Sequence, residues 1–254
     1  MNDKTKLDEL TGAFKLQVDS IRESVQDVFS KDKSDDQEAA DTAVKKEHVV
    51  LVHGLFLHGT ATKVMSNWLE KAGYSTSEFS YRSVFEDLDN NAKRLKEYFE
   101  SLDADVVHAV GHSLGGVLIQ HMYDIYDVHK KGRVVALGSP FLGSKVAAYF
   151  RQHPLTSAVL GKSIAAVNES QERRWNSHHE LGIIAGIKSA GIGNILTRVL
   201  KGPNDGTVAV AETRLPGYKE HITVPVSHTQ LIFSQRVSEK VINFLKNGSF
   251  EDCD

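Results

Sequence analysis

The chain has 254 residues, of which 41% are hydrophobic and 25% charged, with a formal net charge of -3. That length suits one full α/β domain with a large core, and the composition is that of an ordinary soluble globular protein. The charge balance and the lack of a basic cluster argue against a nucleic-acid surface, and the single cysteine, Cys253, excludes an intramolecular disulfide.

The N-terminus, MNDKTKLDEL, lacks the apolar core and the small-residue cleavage site of a secretory signal. No apolar run approaches the roughly 18 residues of a membrane-spanning helix, so the cytoplasm is the simplest expected address. Leu7, Leu10, Phe14, Val18, Ile21, Val25 and Val28 recur at helical spacing, which predicts an amphipathic helix over residues 1–30. Its polar face carries Asp3, Asp8, Glu9, Asp19, Glu23 and Asp27 against Lys4, Lys6, Lys15 and Arg22. An interfacial membrane anchor favours a basic face. The helix is therefore expected to pack on the domain or on a partner helix, a route to self-association. The charged stretch KDKSDDQEAADTAVKKE reads as a linker. Residues 1–46 are thus set apart from a single domain over 47–254.

From there strands and helices alternate. HVVLVHG is a buried-strand run, VMSNWLEKAG a helix ending at glycine, and YSTSEFSYR a second strand. DLDNNAKRLKEYFESL is a helix with Leu88, Leu95, Tyr98, Phe99 and Leu102 broadly on one face. ADVVHAVG and GRVVALGSP are the third and fourth strands, with a helix between them. Residues 143–178 read as mostly helical, ELGIIAGI as a fifth strand, HITVPVS as a short apolar segment, and QLIFSQRVSEKVINFLKNG as a closing helix. Strands separated by helices predict a mostly parallel sheet covered on both faces.

The third strand ends in Gly111-His112-Ser113-Leu114-Gly115, a G-x-S-x-G pattern at a strand-to-helix turn. Such a turn lifts the serine hydroxyl above the sheet edge in strained dihedrals, and side chains at the flanking glycines would collide with the neighbouring strand and helix. The following helix N-terminus offers free N–H groups where negative charge would develop. The pattern is also compatible with a glycine-rich connection holding an incidental serine. A reactive serine needs a histidine base oriented by a carboxylate, in the chain order Ser, Asp or Glu, His.

Two later stretches supply candidates. Asp205 lies in the Pro-Asn-Asp-Gly turn of KGPNDGTVAV, a sequence that is also common turn chemistry. His228 follows VPVS and precedes the closing helix. Glu212 is an alternative orienter, but it lies beyond the turn in a strand-like run. His178, His179 and His221 begin or precede strands, at the wrong edge. His108 sits inside a strand, and His129 and His153 lie in polar connections with no suitable carboxylate. For the oxyanion, the N–H of Leu114 and that of Leu55, freed to turn inward by Gly54, are the candidate donors. The His53 ring is expected to tie its own loop through backbone hydrogen bonds.

Together, VLVHGLF, VGHSLGG, LGSPFLGS, GPNDGTVAV and VPVSHTQL resemble the lipase and esterase branch of the α/β-hydrolase superfamily over roughly residues 47–247. The resemblance implies a Ser113-His228-Asp205 triad and ester hydrolysis through an acyl-enzyme, on a small or ester-bearing lipid substrate; no cofactor is expected, and no metal site is read, with acidic residues near Asp205 left open as a calcium site. The region before the first strand is too polar to supply the usual extra N-terminal strands, which implies a small version of the fold. Phe56, Leu57, Phe141, Leu142, Leu231 and Ile232 are candidate acyl-pocket walls, and equally candidate core. The resemblance makes the stretch from Ser144 to Trp175 a candidate lid, and SAGIGNILTRVL (Ser189 to Leu200) is a second; each is equally readable as a fixed helix packed on the sheet, and neither is long enough for more than a modest cover. A thioesterase or acyltransferase would use the same triad. From a different class, a non-catalytic binding module on the same scaffold would have no need of all three groups.

Overall fold

The computed structural model describes residues 46–55, 62–151, 173–189 and 199–251. The expected N-terminal helix, Phe56, Leu57 and most of both candidate lid segments lie outside the described residues.

Among the described residues lie six strands: β1 (Glu47–Val52), β2 (Ser75–Phe79), β3 (Val106–His112), β4 (Val134–Leu137), β5 (Leu181–Gly186) and β6 (Glu220–Val224). They form one sheet in the order β2-β1-β3-β4-β5-β6, every neighbouring pair parallel. Parallel neighbours require crossovers. The described helices are α1 (Lys63–Lys71), α2 (Leu88–Ser101), α3 (Leu114–Ile125), α4 (Lys145–Arg151), the single-turn α5 (Val210–Thr213) and α6 (Gln235–Asn247).

Alternation along the strands splits the core into two layers. Val50, Val52, Val107, Ala109, Val134 and Ala136 face α2 and α3, where Leu95, Phe99, Val117 and Leu118 pack on them. Val49, Leu51, Val110, Val135, Leu137 and Ile184 face the other way, against Met65 and Leu69 of α1 and Val237, Val241 and Phe244 of α6. Each buried Val, Leu, Ile, Phe or Met among them contributes roughly 1.5–3 kcal/mol by leaving water. Asp87 starts α2 by accepting the N–H of Asn90 at 2.8 Å, and Gly248, at φ 74°, ends α6.

The chain steps from β1 outward to β2, returns to β3 on the other side of β1, and continues to β6. Strand order therefore reverses between β1 and β3. The crevice beyond the carboxyl ends of strands at such a reversal is where doubly wound sheets bind ligands. Register aligns those ends: Val52 lies opposite Gly111, His112 opposite Leu137, Leu137 opposite Ile184, and Gly186 opposite Val224.

Three expectations are corrected, and the short apolar segment HITVPVS is found to hold β6. The closing helix is two elements: a 3-10 turn over Thr229–Ile232, then α6. Ser234 leaves the helical region at ψ 120° and restarts it by accepting the N–H of Ser238 at 3.0 Å. The β6 ladder stops at Val224, since Pro225 has no N–H to donate. Residues 173–180 are not helical; the Trp175 indole N–H instead donates to the His179 carbonyl at 2.6 Å. The strand-like run after Asp205 is α5, closed by Glu212, whose carboxylate accepts the N–H of Ala209 at 2.8 Å.

Candidate active site

Ser113 sits between the end of β3 and the start of α3 at φ 54°, ψ -122°. It has the only positive φ of any non-glycine among the described residues. A conformation of this kind costs about 1–3 kcal/mol and persists only where its surroundings over-determine it. Here they do. The Ser113 N–H donates to the Leu137 carbonyl at 2.8 Å, and its carbonyl accepts from Gly116 at 3.2 Å. A Cβ on Gly111 would lie 2.5 Å from Gly116 Cα, and one on Gly115 would lie 2.6 Å from the His53 carbonyl oxygen. Both glycines of the pattern are thus required, one by the helix and one by β1.

On the other side of Ser113 lies the loop after β1. A Cβ on Gly54 would come within 3.0 Å of Ser113 Cβ, so the glycine relieves a tight approach between the two loops. Leu55 follows and packs against the core layer of α3. The His53 ring ties the loop as expected: Nδ1–H donates to the Gly54 carbonyl at 2.8 Å, and Nε2 accepts the N–H of Tyr81 at 3.3 Å. Tyr81 adds a second bond, from its hydroxyl to the His53 carbonyl at 3.0 Å, and stacks on the imidazole at 4.5 Å.

Asp205 and His228 are brought together. His228 Nδ1–H donates to Asp205 Oδ2 at 2.7 Å, and the His228 N–H donates to the Asp205 carbonyl at 2.9 Å. The carboxylate is 1% exposed. Its other oxygen, Oδ1, accepts the N–H groups of Thr207 and Val208 at 2.9 and 2.7 Å. The two carboxylate oxygens thus divide their partners, Oδ1 closing the turn and Oδ2 meeting the imidazole. Asn204 completes the turn by accepting from Gly206 at 3.0 Å.

Three residues at this edge escaped the sequence analysis. Gly138, at φ 57° just after β4, leaves room for the pair: a Cβ there would lie 3.0 Å from Asp205 Oδ2 and 3.1 Å from His228 Nδ1. Gly186 does the same at the end of β5, where a Cβ would lie 2.7 Å from Asp205 Cβ. The available signal was a glycine closing each of these strands. The third is His112, whose Nε2–H donates to the His228 carbonyl at 3.0 Å. Burial, and secondarily the neighbouring His228, push its pKa down to about 3.

The competing candidates are engaged elsewhere. Glu212 accepts the N–H of Lys145 with Oε1 and that of Ala209 with Oε2, both at 2.8 Å, clasping α4 to the Asp205 loop. Burial raises its pKa. His179 Nε2–H donates to the Lys130 carbonyl at 2.8 Å, and His108 is held inside β3 by Arg133 and Glu47. Of the apolar wall candidates, Leu142 is 39% exposed, whereas Phe141 at 1% belongs to one core layer and Leu231 and Ile232 to the other. The described ends of the two lid segments meet: Val146 and Tyr149 of α4 pack with Val199, Leu200 and Ala209. Among the described residues, no group of three or more His, Cys, Asp or Glu side chains could hold a metal ion, and no helix is long and apolar enough to cross a membrane.

This arrangement is that of an α/β-hydrolase fold, and solved structures agree. Lipase BlEst2 of Bacillus licheniformis in its mature form superposes with a TM-score of 0.66 at 21% identity, covering 84% of this chain and 96% of its own. A metagenomic carboxyl esterase gives 0.57 at 19% identity, covering 76% and 68%. A bromoperoxidase of Bacillus anthracis gives 0.53 at 15% identity, covering 79% and 92%. No protein-family model matches the sequence, and no curated protein does.

Proposed function

We propose that this chain is a serine hydrolase of carboxylic esters. The observation that carries the reading is the buried Asp205–His228 pair, bonded at 2.7 Å, at the sheet edge where Ser113 holds its strained elbow. Ser113 Oγ attacks the ester carbonyl while His228 takes its proton and returns it to the leaving alcohol. Asp205 keeps Nδ1 protonated, so that Nε2 is the base, and stabilises the imidazolium. The N–H groups of Leu114 and Leu55 hold the oxyanion, each contributing about two to three orders of magnitude in rate. Water, deprotonated by His228, then attacks the acyl-enzyme, and Ser113 leaves with the proton returned. Leu142 offers apolar surface to the acyl chain, and Phe141, Leu231 and Ile232 back the site from the core.

The lipase and the carboxyl esterase among the structural neighbours support the ester class. The test is labelling with a fluorophosphonate probe together with turnover of p-nitrophenyl butyrate. Wild type should react with both, and Ser113→Ala with neither, while its circular dichroism stays unchanged. A Ser113→Ala enzyme with near-wild-type turnover would refute the assignment. An ester and thioester panel of graded chain length then defines the acyl and leaving groups.

A further inference from the structure

We propose that His112, the residue between Gly111 and Ser113, is a positioning residue that fixes the catalytic base relative to the nucleophile. The inference rests on the Ser113-His228-Asp205 reading above and adds a part to it. His228 is anchored through both of its own backbone groups. Its N–H is held by the carbonyl of Asp205 at 2.9 Å, and its carbonyl by Nε2–H of His112 at 3.0 Å. The base is therefore referenced to its orienter on one side and to the chain neighbour of its nucleophile on the other.

The imidazole of His112 is 4% exposed, and its centroid lies 4.7 Å from that of His228. Its second nitrogen, Nδ1, is buried with no hydrogen-bond partner. That nitrogen lies only 3.2 Å from the position a Cβ on Gly54 would take, so the ring spans from the base loop to the oxyanion loop. Leaving a polar nitrogen unpaired in the interior is unfavourable. A leucine or phenylalanine would fill the space without it. The donor at Nε2 is what the imidazole supplies in return.

The role also requires His112 to stay uncharged. During turnover His228 becomes cationic, and a second imidazolium 4.7 Å away would oppose it. Burial, assisted by the neighbouring imidazole, keeps His112 neutral far below the ordinary histidine range.

The experiment compares wild type, His112→Phe and His112→Gln on p-nitrophenyl butyrate and in the rate of fluorophosphonate labelling. Phenylalanine keeps the ring and loses the donor; glutamine keeps an N–H close to the Nε2 position. His112→Phe should lower kcat about ten- to a hundredfold, the scale of a misplaced reacting group, with KM little changed. Labelling should slow in parallel, and His112→Gln should recover most of both. Circular dichroism reports folding. If the phenylalanine variant does not fold, His112→Asn, whose amide is too short to reach the carbonyl, takes its place against His112→Gln. A folded donor-less variant with wild-type kcat would overturn the inference. So would a raised KM at constant kcat, or a glutamine variant no better than the donor-less one. A wild type inert to both probe and ester would instead sink the underlying triad reading, and the inference with it.

Discussion

Asp205 serves two structures with one carboxylate: Oδ2 receives His228 Nδ1–H at 2.7 Å while Oδ1 receives the backbone N–H groups of Thr207 and Val208. An amide at this position can still close the turn with its carbonyl oxygen. Its NH2 group would then face His228 Nδ1 and favour the wrong tautomer. Asp205→Asn should therefore lower kcat by about four orders of magnitude while leaving the fold intact by circular dichroism.

Glu212→Gln should behave in the opposite way. Its carboxylate is 5% exposed and accepts from Lys145 and Ala209 rather than from a histidine. An amide offers one acceptor where two N–H groups need one each, and the unmet bond should cost about 1–3 kcal/mol of stability. The urea midpoint should fall, while kcat of the folded enzyme stays near wild type. A kcat loss matching that of Asp205→Asn would transfer the orienting role to Glu212.

The difference between these two carboxylates shows what the sequence could and could not convey. The strands were readable because buried parallel strands are continuous β-branched runs, as in VVLV and VVAL. Ser113 was readable because its turn admits glycine at Gly111 and Gly115, and this leaves a pattern. Val210–Thr213 was not, because VAVAET alternates like a strand. It turns helical only when the Glu212 side chain meets Ala209 N–H locally and Lys145 N–H from a distant element. His112 looked like a spacer since its partner, the His228 carbonyl, is 116 residues away. The break in the closing segment follows from the buried seats of Leu231 and Ile232, which no local propensity encodes.

Gly186→Ala should act on chemistry through packing alone. Its added methyl would sit 2.7 Å from Asp205 Cβ and 2.6 Å from the Val226 carbonyl oxygen, between the loops that carry Asp205 and His228. A shift of about 1 Å in such a pair costs on the order of a hundredfold in rate. Gly73→Ala is the control. It has a positive φ of 96° but nothing within 4 Å, so it should lose about 1 kcal/mol of stability and no activity. Equal kcat values for the two variants would show that Gly186 has no part in placing Asp205.

Tyr81→Phe removes a single bond, the 3.0 Å contact to the His53 carbonyl, and leaves the ring stack and the Tyr81 N–H to His53 Nε2 bond in place. His53 precedes the glycine that abuts Ser113, so the variant tests whether the proposed oxyanion loop needs both clamps. The expected result is a loss of about 1 kcal/mol in stability and a fall in kcat with KM little changed. A fall in stability with unaltered kcat would make the hydroxyl purely structural.

Acid should weaken this fold through its buried histidines. His48, His108, His112, His179 and His221 all have pKa values lowered from the ordinary 6.5, with burial the largest cause in each. A histidine with a lowered folded pKa binds fewer protons in the native than in the unfolded chain. Its stabilisation is whole above the unfolded pKa and is lost as pH falls below it toward the folded value. For His112 that window runs from 6.5 down to about 3. By pH 5, about 1.5 units into the window, it alone should account for roughly 2 kcal/mol. Urea midpoints should therefore drop between pH 7 and pH 5, and His112→Gln, which has no proton to bind, should lose distinctly less across the same interval. Parallel pH profiles for wild type and His112→Gln would show that His112 does not resist protonation in the folded protein.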